Sequence, residues 1–195
     1  MTEKNELIVS GSGRDYIENM SDTSFSENFS LPCTECFGTL RTLRWGGYSF
    51  LIKLFWIRSW FGKLLNTGYL KKCELTFKKK LKRIACMNDA GKVWFSYGLI
   101  FARYDSVVRY VMHETAHLWL SERDNYSLLL KNDKEFFSLV GKTEETLCLS
   151  PTERYATTLA VMMMEKAEKT CKSERMKKKL RSQLLREKEK TEKHP

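Results

Sequence analysis

The order of apolar and polar residues predicts a strand and two helices in the middle of the chain. Residues 48–65 are apolar on most faces, which predicts a helix that packs against other elements. Residues 92–101 alternate as a half-buried strand does, and the edge of such a strand can bind an extended peptide. A helix capped by Asp105 or Ser106 is expected next. Its apolar stripe consists of Val107, Val108, Val111 and Met112.

The pattern beyond this helix is less regular. Residues 121–131 are mostly polar and are expected to form a link. Asn132-Asp133-Lys134-Glu135 is then expected to start a short helix, with Asn132 as its N-cap and Glu135 three residues on. Upstream, residues 71–83 form a basic amphipathic segment.

The start of the last helix has a clear sequence signature. Ser150 suits the N-cap, Pro151 the first helical position and Glu153 the third, so the three residues form a predicted capping box. The following turns are apolar enough to pack against the core. From residue 168 onward the helix is charged, and we expect this part to project into solvent as a tail.

The second predicted helix contains the motif His-Glu-x-x-His. His113 and His117 lie four residues apart, so they share one helix face and can hold one Zn²⁺ at roughly 2.0–2.1 Å. Glu114 projects beside such a metal, where its carboxylate can take a proton from a bound water. With only three histidines in the chain, the chance of this motif arising by coincidence is on the order of one in several hundred.

The net charge of +10 is unevenly distributed. Residues 1–32 carry two basic and six acidic residues (net −4), whereas residues 41–84 carry twelve and one (net +11). The last 31 residues carry twelve and six (net +6). Residues 71–83 and the tail are therefore candidates for binding nucleic acid, although a solvated basic surface explains the same pattern.

Several features favour the cytoplasm. The polar, acidic first 30 residues do not have the composition of a secretion signal. The most apolar run, residues 48–61, is too short to cross a bilayer, which takes about 20 residues, so no transmembrane segment is expected. The six cysteines are then expected to be reduced thiols.

Cys33-Thr-Glu-Cys36 is a lone CxxC motif. Together with Cys73 and Cys86 as distant partners it would form a zinc site. The sequence contains no second CxxC, so the usual spacing of such a site is absent.

Three stretches, residues 91–100, 108–118 and 132–140, resemble YgjP-like and SprT-like metallopeptidases. These families share a strand, a YVxxHExxHL helix and a downstream HxxxF segment that supplies a third histidine. Arg44-Trp45-Gly46 also resembles their RWGS hairpin, although it lies about 45 residues before the strand. The resemblance implies a zinc-dependent peptidase acting on proteins or peptides.

The third ligand departs from this pattern, because Asn132 occupies the place of the histidine. Asp133 is adjacent and its carboxylate is a suitable zinc ligand, so it is the expected third ligand, with Asn132 as an alternative. A rival resemblance exists to ImmA/IrrE-type metallopeptidases, whose ExxAxxxAxxLL helix is similar to residues 153–163. That resemblance implies Glu153 as the ligand instead.

Together these features predict an α+β, zincin-like fold, with a small mixed or antiparallel sheet packed on the HExxH helix. We expect residues 1–32 to be disordered, 33–90 to be a basic, partly helical region, 91–167 to be the core and 168–195 to be a charged helical tail. The expected function is zinc-dependent endopeptidase activity with Glu114 as general base. The alternative is a degenerate zincin that binds a partner, such as nucleic acid or a DNA-bound protein, without hydrolysis.

Overall fold

The computed structural model describes residues 30–45, 50–79, 85–87 and 91–193. This part of the chain is mostly helical, with one small sheet. The helices are α1 (Thr34–Gly38), a 3-10 helix (Thr39–Trp45), α2 (Phe50–Asn66), α3 (Tyr97–Phe101), α4 (Tyr104–Ser121), α5 (Tyr126–Val140), α6 (Glu144–Leu147), α7 (Pro151–Thr170) and α8 (Glu174–Lys193). The strands are β1 (Glu74–Lys78), β2 (Ala85–Met87) and β3 (Lys92–Ser96).

The sheet is mixed, which is one of the two arrangements predicted from the sequence. Strand β3 lies in the centre, parallel to β1 and antiparallel to β2. Val93 and Phe95 are fully buried, which agrees with the alternation in the sequence. Because both edges of β3 are paired, an added peptide strand would have to use the outer edge of β1 or β2 rather than β3 itself.

Two predictions for the first half of the chain are wrong in detail. The strand predicted over residues 92–101 ends at Ser96, whose hydroxyl accepts a hydrogen bond from the Gly98 amide at 3.1 Å and so caps α3. Thr39–Trp45 is a 3-10 helix, so the residues before Gly46 do not form the first arm of a hairpin. The predicted disordered segment falls almost entirely on residues 1–29, outside the described residues.

Helix α4 is the centre of the packing. It contacts α7 most extensively and also α2, α8 and β2. Its buried side chains include Val107, Val111, Ala116 and Leu120, each fully buried. A helix enclosed in this way can hold polar side chains in fixed positions, because its neighbours restrict their rotamers.

Helix α5 begins earlier than the sequence predicts. It starts at Tyr126, so the expected link over residues 121–131 is helical from Tyr126 onward. Leu129 is fully buried and anchors this first part of the helix. Asn125 occupies the N-cap, and the N-cap role predicted for Asn132 is therefore wrong.

The predicted projecting tail is also wrong, although its helical character is confirmed as far as Lys193. Helix α7 ends at Thr170, and α8 folds back to pack against α7 and α4. Three apolar side chains at four-residue spacing, Met176, Leu180 and Leu184, are buried in this contact. The tail thus belongs to the core, and most of its charged residues lie on the other faces of α8.

Among the described residues, no helix combines the length and apolarity needed to cross a membrane.

Candidate metal centre

Helix α4 brings the two histidines of the HExxH motif together, as their spacing predicts. His113 Nε2 and His117 Nε2 lie 3.1 Å apart, and the two rings are nearly perpendicular at 82°. His117 is buried, and His113 is partly buried. Both nitrogens therefore point to one shared position beside α4.

The third group at this position is Glu153, in the first turn of α7. Its Oε2 lies 3.0 Å from His113 Nε2 and 3.5 Å from His117 Nε2. His113, His117 and Glu153 form the one cluster in the described part of the chain whose donor atoms are grouped closely enough to hold a metal ion.

The separations of the three atoms are compatible with coordination of one metal ion of the size of zinc. Ligand atoms at about 2.0–2.1 Å in tetrahedral geometry are about 3.3 Å from one another, and the separations here are 3.0, 3.1 and 3.5 Å. Two histidines and a glutamate are also a donor set found in catalytic zinc sites, where a fourth position stays open.

Hydrogen bonds alone do not satisfy all three contacts. A carboxylate only accepts, and each Nε2 carries either a proton or a lone pair. If both histidines donate to Glu153, two donors face each other across 3.1 Å. If only one histidine carries a proton there, the lone pair of the other faces the carboxylate, at 3.0 Å for His113 or at 3.5 Å for His117. A cation between the three atoms removes this conflict, because each then offers a lone pair.

The ionisation state of Glu153 suits a cation. Burial raises the pKa of Glu153, but hydrogen bonds from His113 and His117 outweigh it and hold this pKa well below its usual value. Burial lowers the pKa of His113. Burial also lowers the pKa of His117, but its hydrogen bond and charge interaction with Glu153 outweigh that and raise it. Glu153 is therefore ionised near pH 7, as a ligand must be.

Asp133, the third ligand expected from the sequence, does not join the cluster. Its Oδ1 accepts a hydrogen bond from the Thr152 amide at 2.9 Å, so it caps the first turn of α7 from α5. Burial raises its pKa, and the hydrogen bonds from Thr152 oppose this shift. Asn132, the alternative, lies within α5 and is half-buried. The geometry therefore favours Glu153 over Asp133.

The first turn of α7 explains why Glu153 is available for the histidines. Ser150 accepts from the Glu153 amide at 3.4 Å, and Asp133 accepts from the Thr152 amide, while Pro151 has no amide proton. The predicted N-cap and first helical position are thus confirmed. The Glu153 carboxylate lies against the imidazoles, whereas the predicted capping box required it at the Ser150 amide.

Glu114 is held in the interior beside this cluster, with 4% of its surface exposed. Its charge is one of those that raise the pKa of His117, after the larger effects of burial and Glu153. The next residue, Thr115, accepts a hydrogen bond from Trp60 Nε1 at 2.9 Å and donates to the Val111 carbonyl at 2.7 Å. The hydrogen bond from Trp60 connects α2 to α4 beside the motif, and sequence analysis did not predict it.

The zinc site considered for the cysteines is not formed among the described residues. Cys33 and Cys36 lie close together, but Cys73 does not join them in any group that could hold a metal. The side chain of Cys86 is outside the part of the chain that the structure describes.

Comparison with known proteins identifies no relative. Neither a family model, nor a characterised protein, nor a solved structure matches this chain.

Proposed function

We propose that this protein is a zinc-dependent metallopeptidase, with His113, His117 and Glu153 as metal ligands and Glu114 as general base. The observation that carries the proposal is the convergence of the three ligand atoms at separations of 3.0–3.5 Å. A coincidental pair of histidines on one helix would not explain the position of Glu153, which comes from a different helix 40 residues after His113.

The chemistry follows from the donor set and the position of Glu114. Zinc in such a site acts as a Lewis acid on a peptide carbonyl and lowers the pKa of water. Glu114 accepts the proton of the attacking water and then delivers it to the leaving amine. Its buried position in α4, one residue after His113, keeps the carboxylate beside the cluster.

The arrangement also bears on which resemblance fits better. A glutamate ligand from a later helix is what the likeness to ImmA/IrrE-type metallopeptidases implies, whereas the likeness to YgjP-like and SprT-like enzymes implies a third histidine. The mixed sheet whose strand β2 contacts α4 is compatible with a zincin-like domain. We therefore favour a zincin in which Glu153 completes the site.

Metal content and activity test the proposal separately. Purified protein is expected to bind about one zinc per chain. Glu153→Gln should lower zinc affinity by more than about 100-fold, since even outer-shell changes cost about 10–100-fold. Glu165→Gln, on the same helix and paired with Lys188 at 2.6 Å, is the matched control and should keep the zinc. Zinc retained equally in both variants would exclude Glu153 as a ligand.

Hydrolysis is tested with Glu114→Gln. This variant should retain zinc but lose about 10²- to 10⁴-fold in the rate of casein cleavage, because the general base is removed. Activity that survives the substitution would contradict the assigned role of Glu114.

The second candidate is a non-catalytic zincin that binds nucleic acid. Lys71, Lys72, Lys78 and Lys79 are exposed around β1, which favours it. The basic residues of α8 favour it less, because Arg181 and Lys188 pair with Glu168 and Glu165. Salt-sensitive binding to a DNA duplex by a zinc-loaded protein that cleaves no peptide would support this alternative.

A further inference from the structure

The CxxC motif forms a close pair of thiols that differ in exposure. Cys33 is the N-cap residue of α1 and is exposed, whereas Cys36 is buried one turn later. Their sulfur atoms lie 3.4 Å apart. The Cys36 sulfur also lies 3.7 Å from the Thr67 hydroxyl at the end of α2. Cys36 is thus held in the interior, whereas Cys33 is accessible to solvent.

We propose that Cys33 and Cys36 form a reactive dithiol that undergoes thiol–disulfide exchange and closes to an intramolecular disulfide. A disulfide has its sulfur atoms about 2.0 Å apart, so closure needs an approach of about 1.4 Å from the separation seen here. Side-chain rotation supplies a movement of this size without rearranging α1. The difference in exposure assigns Cys33 as the attacking thiol and Cys36 as the resolving one.

The reaction uses an external disulfide as oxidant. The Cys33 thiolate attacks one sulfur of that disulfide, forms a mixed disulfide and releases the other half as a thiolate. Cys36 then loses its proton and attacks the Cys33 sulfur, which releases the second half as a thiolate. In total, the two cysteines lose two electrons and two protons, and one external disulfide becomes two thiols.

The electrostatics support the same division of roles. Burial opposes ionisation of Cys33 and is the largest single effect, but the hydrogen bonds from the Cys36 amide and thiol together outweigh it and lower the pKa of Cys33 from its usual value. Burial, reinforced by the hydrogen bond to Cys33, raises the pKa of Cys36 to about 11. Glu35 acts against ionisation of Cys33, and Lys63 of α2 lies 4.0 Å from that carboxylate.

The dithiol is distant from the candidate metal centre. Phe37 packs edge-to-face on Trp60, which anchors α1 to α2. Thr34 and Phe37 share a cavity with Thr170 at the C-terminal end of α7, whereas Glu153 lies in its first turn. About 25 Å of helix separates the two ends. The inference therefore stands independently of the proposed peptidase function.

The test treats the reduced full-length protein with glutathione disulfide and maps the products by mass spectrometry. The wild-type chain should lose two hydrogen atoms within the peptide containing residues 33–36. Cys36→Ala should instead accumulate one glutathione on Cys33, because the resolving thiol is gone, and Cys33→Ala should show neither product. Cys148→Ala removes an exposed thiol outside the motif and should behave as wild type.

The rate and its pH dependence complete the test. Glutathione disulfide should react several-fold faster at Cys33 than at Cys148 near pH 7, and the reactivity of Cys33 should reach half its maximum at a lower pH than that of a cysteine in an unstructured peptide, because a lowered pKa ionises the thiol at lower pH. Equal labelling of the two cysteines, or a wild-type chain that keeps glutathione on Cys33 without closing the disulfide, would overturn the inference. Both outcomes are measurable on the wild-type protein, so they do not depend on the folding of a variant.

Discussion

At the scale of single residues, the first turn of α7 decides the metal centre. Asp133 and Ser150 satisfy the first amides of the helix, and the Glu153 carboxylate is left to approach the two histidines. The N-terminal end of a helix also carries a partial positive charge that stabilises a carboxylate there. Two acidic residues that look equally suitable as ligands thus have different positions: Asp133 caps α7, and Glu153 joins the cluster with the histidines.

Asp133→Ala separates these roles. Because the Thr152 amide would lose its acceptor, we expect the free energy of unfolding to fall by about 1 kcal/mol. Zinc content should not change. Urea denaturation and metal analysis of the same preparation check both expectations. A loss of zinc as large as that of Glu153→Gln would show that Asp133 is a ligand after all.

At the scale of elements, α8 stabilises the helix that carries the motif. Arg109 of α4 pairs with Glu187 of α8 at 2.8 Å, and the Glu187 side chain is only 4% exposed. Asp105, fully buried at the start of α4, is contacted by Arg103 and lies 3.8 Å from Arg186 of α8. Ion pairs between α4 and α8 therefore neutralise the buried charges of both helices, which explains how so polar a helix can pack on the core.

Leu180 and Leu185 provide a matched pair on this helix. Leu180 is fully buried and Leu185 is 57% exposed. Leu180→Ala should lower the free energy of unfolding by about 2–5 kcal/mol, whereas Leu185→Ala should change it by less than about 0.5 kcal/mol. Chemical denaturation measures both. Similar, small effects in the two variants would mean that α8 projects into solvent, as the sequence alone suggests.

At the scale of the whole molecule, the candidate metal centre joins two helices that are far apart in the chain. His113 and His117 come from α4 and Glu153 from α7, and these two helices have the most extensive contact in the described structure. A metal ion there would tie the motif helix to the second half of the core. Metal binding and folding would consequently be coupled.

Zinc should therefore raise thermal stability. At a free zinc concentration 100 times the Kd, binding adds about 2.7 kcal/mol, which corresponds to a rise in Tm of about 5–10 °C for a chain of this size. Thermal unfolding with excess zinc and with a chelator measures the shift. His113→Ala should show no difference between the two conditions. If wild type and this variant respond alike, zinc acts elsewhere on the protein.

Features that depend on local spacing were predictable from the amino-acid sequence. Residues four apart on a helix share a face whatever surrounds them, so His113 and His117 were predictable as a pair. The helix over Phe50–Asn66, the alternating start of β3 and the Ser150-Pro151 helix start follow from similar short-range rules. These features rest on backbone geometry and capping, which neighbouring residues set.

Long-range packing, in contrast, determines which acidic residue contacts the histidines and where residues 168–193 lie. Asp133 and Glu153 are equally good ligands chemically, and the packing of α7 on α4 places one of them within 3.0 Å of His113. The apolar stripe of Met176, Leu180 and Leu184 was present in the sequence but masked by the surrounding charge. Helix α8 packs because α4 and α7 offer it an apolar surface and partners for its charges, and such long-range contacts are not encoded in local pattern.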